Sequence, residues 1–131
     1  MPIQTITPWL QSFAQTAVEQ NLTAHMAHIS KEVGVFGVPG FDVLGYDDWF
    51  KQCEHEFPQG LIKALSYPNP KIRTSTDEQI LFVVLETMSM ANGGSSSQAL
   101  EMLLQKEGDK WLLKQLRMLP EDEARHHGLI N

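Results

Sequence analysis

Apolar residues recur every three or four positions near the N-terminus, whereas in the second half of the chain they run in unbroken stretches. Leu10, Phe13 and Ala17 follow the first pattern and share one side of an amphipathic helix. Thr7 and Pro8 precede them as a hydroxyl residue followed by proline, which is typical of a helix start. The N-terminal segment is therefore predicted to form a helix that begins near Thr7.

Two further helices and a short strand are predicted before position 60. The apolar period resumes after a polar break at 19–21 and predicts a second helix that ends at about Ser30. Val33 to Phe36 is a strand candidate, and the turn residues at 37–40 follow it. A third helix is predicted from Tyr46 to Phe57, with Asp47 and Asp48 in its first turn.

The rest of the chain predicts strands. Pro68 and Pro70 restrict the 61–73 segment to an edge or kinked strand. Gln79 to Ala91 is a long strand candidate, and the loop at 92–97 follows it. Residues 98–106 and 110–119 are predicted to form a hairpin that turns at Gly108-Asp109.

Helices followed by a strand-rich half that closes on Glu107-Gly108-Asp109-Lys110-Trp111 form an α+β order. This order and this hairpin resemble the nuclear transport factor 2-like superfamily, over roughly Trp9 to Pro120. That cone-shaped, cystatin-like fold is shared by ketosteroid isomerases and polyketide cyclases. The resemblance implies N-terminal helices packed on a strongly curved, mostly antiparallel sheet. The length of 131 residues indicates one domain, 1–131, with a polar tail at 120–131.

The predicted strands are apolar on both faces. Ile80 to Leu85, Met102 to Leu104 and Trp111 to Leu113 do not alternate with polar residues. Helices can cover one face only, and Pro120 to Asn131 is short and polar. The second face is therefore predicted to meet an identical sheet in a homodimer, which the resemblance also implies.

The hairpin register predicts which residues share a face. A two-residue turn sets Leu104 opposite Leu113. Continued without interruption, this register places Trp111, Leu113, Gln115 and Arg117 together. The resemblance implies that this face meets the helices, with Gln115 and Arg117 deep in the cone.

Isolated charges and clustered aromatic residues give the candidate ligand-binding residues. Arg117 needs a carboxylate partner if it is buried, and Glu86 is equally isolated in an apolar strand. The pair is either an anion or carbonyl clamp in a pocket or a structural ion pair near the sheet rim or in the dimer interface. Aromatic residues near the mouth of the cone line a ligand slot or simply pack the core. The predicted ligand-binding residues are Phe36, Phe41, Tyr46, Trp49, Glu86, Met102, Gln115 and Arg117.

The resemblance gives no catalytic set. Ketosteroid isomerases need a tyrosine and an aspartate at positions that match Phe13 and Gly37 here, and neither residue can replace them. A polyketide cyclase-like acid is available in Glu86 or Asp42. Two functions follow: a homodimeric module that binds a small apolar or aromatic molecule, or a cofactor-independent lyase, isomerase or cyclase that uses a pocket carboxylate.

Composition limits the classes of partner and cofactor that are expected for the protein. A net charge of −6 disfavours nucleic acid, and no apolar stretch approaches the length of a membrane span. The lone Cys53 suits the reducing cytosol and is interpreted as a small core residue. His25 and His28 lie three positions apart but lack a third donor, and adjacent His126 and His127 chelate poorly, so no metal site or cofactor is predicted.

Overall fold

The computed structural model describes residues 2–131. Most of the helical residues lie in the first half of this range, and most of the strands lie in the second half. The helices are α1 (Pro2–Val18), α2 (Leu22–Met26), α3 (Tyr46–Glu56) and α4 (Glu121–His126), with a 3-10 turn at Phe57–Gln59. The strands are β1 (Ile29–Phe36), β2 (Ile62–Ser66), β3 (Lys71–Ser75), β4 (Gln79–Met90), β5 (Ser95–Glu107) and β6 (Lys110–Met118).

Helix α1 begins one and a half turns before the predicted start at Thr7, and Pro8 lies inside it. The extra turns bury Ile6 completely and bring the Trp9 ring onto the core. The indole Nε1 of Trp9 donates a 2.9 Å hydrogen bond to the carbonyl oxygen of Trp111, which ties α1 to the final hairpin. These contacts offset the backbone hydrogen bond that Pro8 cannot donate. The predicted break at 19–21 is confirmed.

The six strands form one sheet in the order β1-β6-β5-β4-β2, and β3 also pairs with β4. The β1–β6 pair is parallel and the other pairs are antiparallel. The second predicted helix is shorter than expected because Ile29 and Ser30 belong to β1, where both are buried. Helices packed on a curved, mostly antiparallel sheet confirm the predicted α+β class.

The inner face of the sheet carries the main core. Phe82, Val84, Leu100 and Met102 alternate inward from β4 and β5 and are almost completely buried beneath α1. Burial of each such side chain stabilises the fold by about 1.5–3 kcal/mol. Since Met102 is fully buried in this core, it packs the sheet against the helices.

A β-bulge in β6 interrupts the predicted hairpin register. The turn sets Leu104 opposite Leu113, as expected, but the next pair along the strands is Leu103 with Gln115. Lys114 is therefore the extra residue, with no partner opposite it in β5. Because strand side chains alternate between faces, one extra residue reverses the facing of everything that follows.

The bulge makes the predicted facing of Gln115 and Arg117 wrong. Leu116 and Met118 turn inward instead, and Leu116 is 6% exposed within the inner core. Arg117 lies opposite Glu101 in β5 and opposite Phe36 in β1, on the outer face. No cation therefore reaches the interior from β6 in the described part of the chain.

The C-terminal segment covers one end of the outer face, although its polar sequence had argued against this. Ala124 of α4 is 2% exposed and packs on Val83, Ala99 and Leu119. Leu129 and Ile130 extend the same contact. Three apolar residues are sufficient because Glu123 of α4 pairs with Arg117 and the other charged residues of α4 are exposed.

The opposite end of the outer face stays uncovered in residues 2–131. Leu81 and Leu103 pair across β4 and β5, and Leu112 lies opposite Gln105 in the next row. All three leucines are only half-buried. No helix in the described range is long and apolar enough to cross a membrane.

Candidate functional site

A buried tyrosine and a half-buried glutamate meet on the inner face. Glu86 follows Phe82 and Val84 in the inward alternation of β4. Tyr67 comes directly after β2, where Pro68 restricts its backbone to an extended conformation. Tyr67 is 9% exposed, and its hydroxyl donates a 2.7 Å hydrogen bond to Glu86 Oε2.

The environment shifts both groups toward their protonated forms. Burial raises the pKa of the Glu86 carboxyl, and the hydrogen bond from Tyr67 opposes this shift only in part. Burial, followed by the charge of Glu86, raises the pKa of the Tyr67 phenol well above its usual range. The phenol therefore remains a donor, while the carboxyl titrates closer to neutral pH than an exposed glutamate does.

The two oxygens of Glu86 differ. Oε2 is held by Tyr67, whereas Oε1 accepts no hydrogen bond from residues 2–131 and keeps contact with solvent. A carboxyl with one oxygen fixed and the other open can accept a hydrogen bond from a ligand. It can also exchange a proton with that ligand, because its pKa is raised.

Two cavities lie near the pair; Tyr67 is in the wall of one, and Glu86 is in the wall of neither. The larger has a volume of about 360 Å³ and lies between α1 and the 65–70 segment, with Tyr67, Leu65 and Pro70 in its wall. The smaller, about 100 Å³, is lined by Met88, the next inward residue of β4 after Glu86. The larger volume falls within the range of small-ligand pockets.

A second polar network lies beneath α1 and holds His25 neutral. Thr16 donates its hydroxyl to the Phe13 carbonyl oxygen at 2.7 Å, so His25 Nδ1 donates to the Thr16 oxygen at 3.0 Å. His25 Nε2 then accepts from Trp49 Nε1 at 3.1 Å. Burial, with the nearby charge of His28, lowers the pKa of His25 to about 4. This histidine is a structural connector between α1, α2 and α3.

The other sequence candidates for chemistry are also structural. His28 contacts Ser12 and the Ala24 carbonyl oxygen, and thereby joins α2 to α1. Cys53 is buried, and burial raises the pKa of its thiol to about 11, so the thiol is a poor nucleophile at neutral pH. No three His, Cys, Asp or Glu side chains converge as a metal-binding group within residues 2–131.

The structure separates the aromatic residues that the sequence places at one slot. Tyr46 and Trp49 pack against the inner core. Phe36 lies beside Arg117 in the sheet register and is 37% exposed, and Phe41 is 60% exposed. Phe36 and Phe41 thus lie away from the Tyr67–Glu86 pair. Gln115 belongs to the outer face with Phe36.

Arg117 does not pair with Glu86, so the predicted ion pair is wrong. Its guanidinium holds both carboxylate oxygens of Glu123 at 3.0 Å and contacts Glu101 at 3.4 Å. Glu101 also binds Arg73 at 2.9 Å. The guanidinium thus joins the C-terminal segment to the outer face of the sheet, where it cannot clamp a ligand in the cone.

Tyr67 is the polar residue of the site that the sequence does not predict. Its only local signal is an aromatic residue between a strand candidate and Pro68, at the least regular stretch of the chain. The contact with Glu86 depends on the β2–β4 register, in which Ser66 lies opposite Thr87. That pairing is long-range and has no short motif.

Comparison with solved structures places the fold. A nuclear transport factor 2-like protein of unknown function from Shewanella oneidensis MR-1 superposes with a TM-score of 0.76 at 14% identity, over 90% of this chain and 98% of that one. A nuclear transport factor 2-like protein with a cystatin-like fold from Novosphingobium aromaticivorans superposes with a TM-score of 0.71 at 12% identity, over 98% of this chain and 88% of that one.

A third neighbour is described as a candidate scytalone dehydratase from Novosphingobium aromaticivorans DSM 12444. It superposes with a TM-score of 0.71 at 14% identity, over 89% of this chain and 82% of that one. Neither a protein-family model nor a curated protein matches the chain. The chain thus has the nuclear transport factor 2-like, cystatin-like fold, as its sequence predicts.

Proposed function

We propose that this protein binds a small apolar or aromatic molecule on the inner face of its sheet, with Glu86 as the polar contact. The observation that carries the proposal is the Tyr67–Glu86 hydrogen bond, which fixes one carboxyl oxygen and leaves the other open. A carboxyl that has one oxygen fixed and the other in contact with solvent, on an otherwise apolar face, can accept a hydrogen bond from a ligand. This arrangement favours ligand recognition.

The surroundings suit such a ligand. Leu65 and Met88 pair across β2 and β4 next to Glu86, and both line cavities. Methionine adapts its shape readily, and tyrosine offers a flat apolar surface with a polar tip. These side chains provide the apolar contact, and Glu86 orients the bound molecule.

The experiment that tests binding starts from the purified protein. Native mass spectrometry detects a co-purifying small molecule as a mass above that of the chain. Isothermal titration with neutral aromatic compounds then compares the wild type with Glu86→Gln, which keeps side-chain volume. Weaker binding by the variant at unchanged melting temperature supports the proposal, and equal binding by both proteins contradicts the role of Glu86.

A second candidate function is proton transfer on the bound molecule, as in a cofactor-independent lyase, isomerase or cyclase. The raised pKa of Glu86 favours it, since a general base works best when its pKa lies near the working pH. One structural neighbour is described as a candidate scytalone dehydratase, which is consistent with a lyase on this fold. Here Glu86 Oε1 would remove a proton from a carbon next to a carbonyl group.

Deuterium exchange tests this chemistry directly. The wild type should accelerate exchange next to the carbonyl group of an aromatic ketone in heavy water, and Glu86→Gln should not. Exchange at the uncatalysed rate with both proteins would leave ligand binding as the function.

We further propose that two copies pair through the uncovered part of the outer face. Leu81, Leu103 and Leu112 form adjacent rows there and are only half-buried in one chain. Exposed apolar patches of this kind mark interfaces. Leu116, which the uninterrupted register had placed on this face, lies in the inner core and contributes nothing to it.

Sedimentation tests the dimer. Leu103→Asp should shift a wild-type dimer to monomer, because an unpaired charge in an interface costs several kcal/mol. Ser89→Asp adds the same charge at an exposed position of β4 and serves as the matched control. A wild type that sediments as a monomer at micromolar concentration would contradict the proposal.

The lone buried Cys53 supports a reducing location such as the cytosol.

A further inference from the structure

The polar centre of the inner face accepts hydrogen bonds and has no spare donor. Tyr67 has one hydroxyl proton, and it is already engaged with Glu86 Oε2. Glu86 Oε1 accepts no hydrogen bond within residues 2–131 and is open to solvent. A ligand that reaches this centre therefore meets an unpaired acceptor.

No positively charged residue lines either of the two cavities near this acceptor. The larger cavity has no charged residue in its wall, and the smaller has only Glu56. Both ring nitrogens of His25 are engaged, with Nε2 accepting from Trp49, which keeps the ring neutral. Arg117 is on the other face of the sheet with Glu101 and Glu123.

Resting on the binding function proposed above, we infer that the ligand presents a hydrogen-bond donor on an apolar ring, as a phenol or a protonated amine does, and that carboxylic acids are rejected. A hydroxyl or ammonium group would donate to Glu86 Oε1 and complete the carboxyl. A ligand carboxylate would instead lose water beside another carboxylate, with no cation to offset the cost. An inward Arg117 would instead have favoured anionic ligands.

Four probes that share one ring test this selectivity: p-cresol, p-methylbenzylamine, p-methylanisole and p-toluate. Isothermal titration at about pH 8 keeps the amine protonated and p-toluate ionised. p-Cresol and the amine should bind on the order of tenfold more tightly than p-methylanisole, since one hydrogen bond separates them. p-Toluate should bind most weakly of the four.

Three variants locate the effect. Glu86→Gln should lose on the order of tenfold in affinity for the amine and leave p-methylanisole unchanged. Tyr67→Phe should retain the preference for donors, because Oε1 is still open. Glu54→Gln removes an exposed carboxylate from α3 and should change nothing, which controls for overall charge. Circular dichroism melting confirms that each variant is folded.

The outcomes separate this inference from the binding function. Tight binding of p-toluate, or equal affinity of the amine for wild type and Glu86→Gln, would overturn the donor preference while binding itself stands. Absence of binding by all four probes would overturn both the preference and the proposed binding function.

Discussion

Arg117 and Glu123 form a two-pronged ion pair in which the two terminal guanidinium nitrogens, Nη1 and Nη2, each lie 3.0 Å from a carboxylate oxygen of Glu123. The pair joins β6 to α4 and helps to hold the C-terminal segment on the sheet. It raises the pKa of Arg117 and lowers the pKa of Glu123. Two parallel hydrogen bonds give such a pair fixed geometry as well as charge.

Arg117→Met should loosen the C-terminal segment and lower the melting temperature by roughly 5 °C. Glu123 loses its partner, and Glu101 keeps only Arg73. Hydrogen exchange at Leu129 and Ile130 should accelerate, whereas ligand binding should stay at the wild-type level. Arg125→Met, which removes an exposed pair within the same segment, is the control and should have a smaller effect. A change in ligand affinity with Arg117→Met would contradict the outward placement of Arg117.

His25 should make the protein less stable in mild acid. Its pKa is about 4 in the folded protein and 6.5 when unperturbed, so the unfolded chain takes up a proton that the folded protein refuses. The stability is fully present above pH 6.5 and is lost progressively as the pH falls toward about 4. The loss should approach the order of 3 kcal/mol.

Urea unfolding between about pH 7.5 and pH 4.5 measures this loss. The control His55→Asn changes an exposed histidine and should leave the pH dependence of the unfolding free energy unchanged. In the His25→Leu protein the unfolding free energy should fall less steeply with decreasing pH, even if the variant is less stable throughout, because position 25 then binds no proton on unfolding. An unchanged pH dependence in His25→Leu would show that other groups dominate the acid response.

Deletion of Lys114 should leave the protein folded, because Gln115 then follows Leu113 directly and still lies opposite Leu103, so that Leu116 and Arg117 keep their faces. Insertion of one alanine after Gln115 should instead turn Leu116 to the outer face and Arg117 into the core, and lower the stability by several kcal/mol. Lys114→Ala keeps the bulge and removes only the exposed contact with Glu32, so it should cost less than 1 kcal/mol. Thermal melting of the variants measures the difference, and similar melting temperatures for the deletion and the insertion would contradict this reading of the register.

Turn chemistry and apolar patterns predict the parts of the fold that are local. The Gly108-Asp109 turn correctly sets Leu104 opposite Leu113 because a two-residue loop allows little choice of register. The bulge at Lys114 cannot be predicted in this way, since the surrounding sequence has no glycine or other local signal for a bulge. It follows from the fit of β6 against both β5 and β1, which only the whole sheet determines.

In the candidate site, too, local features are predictable from the sequence and long-range contacts are not. Glu86 is predictable as a lone carboxylate within an apolar strand, but its partner is not. Tyr67 reaches it through pairing of β2 with β4, across 19 residues of sequence. Arg117 had the stronger local signal, yet an inserted residue three positions earlier sends it to the other face.

Protein-detected NMR with p-cresol shows directly whether a small molecule binds at Glu86 and Tyr67. Saturable chemical-shift changes are expected at Glu86 and Tyr67 and at their apolar neighbours Leu65 and Met88, and much smaller changes are expected with Glu86→Gln. Shift changes confined to exposed residues such as Phe41 and Val43 would contradict this binding site, as would none at any concentration up to the solubility limit.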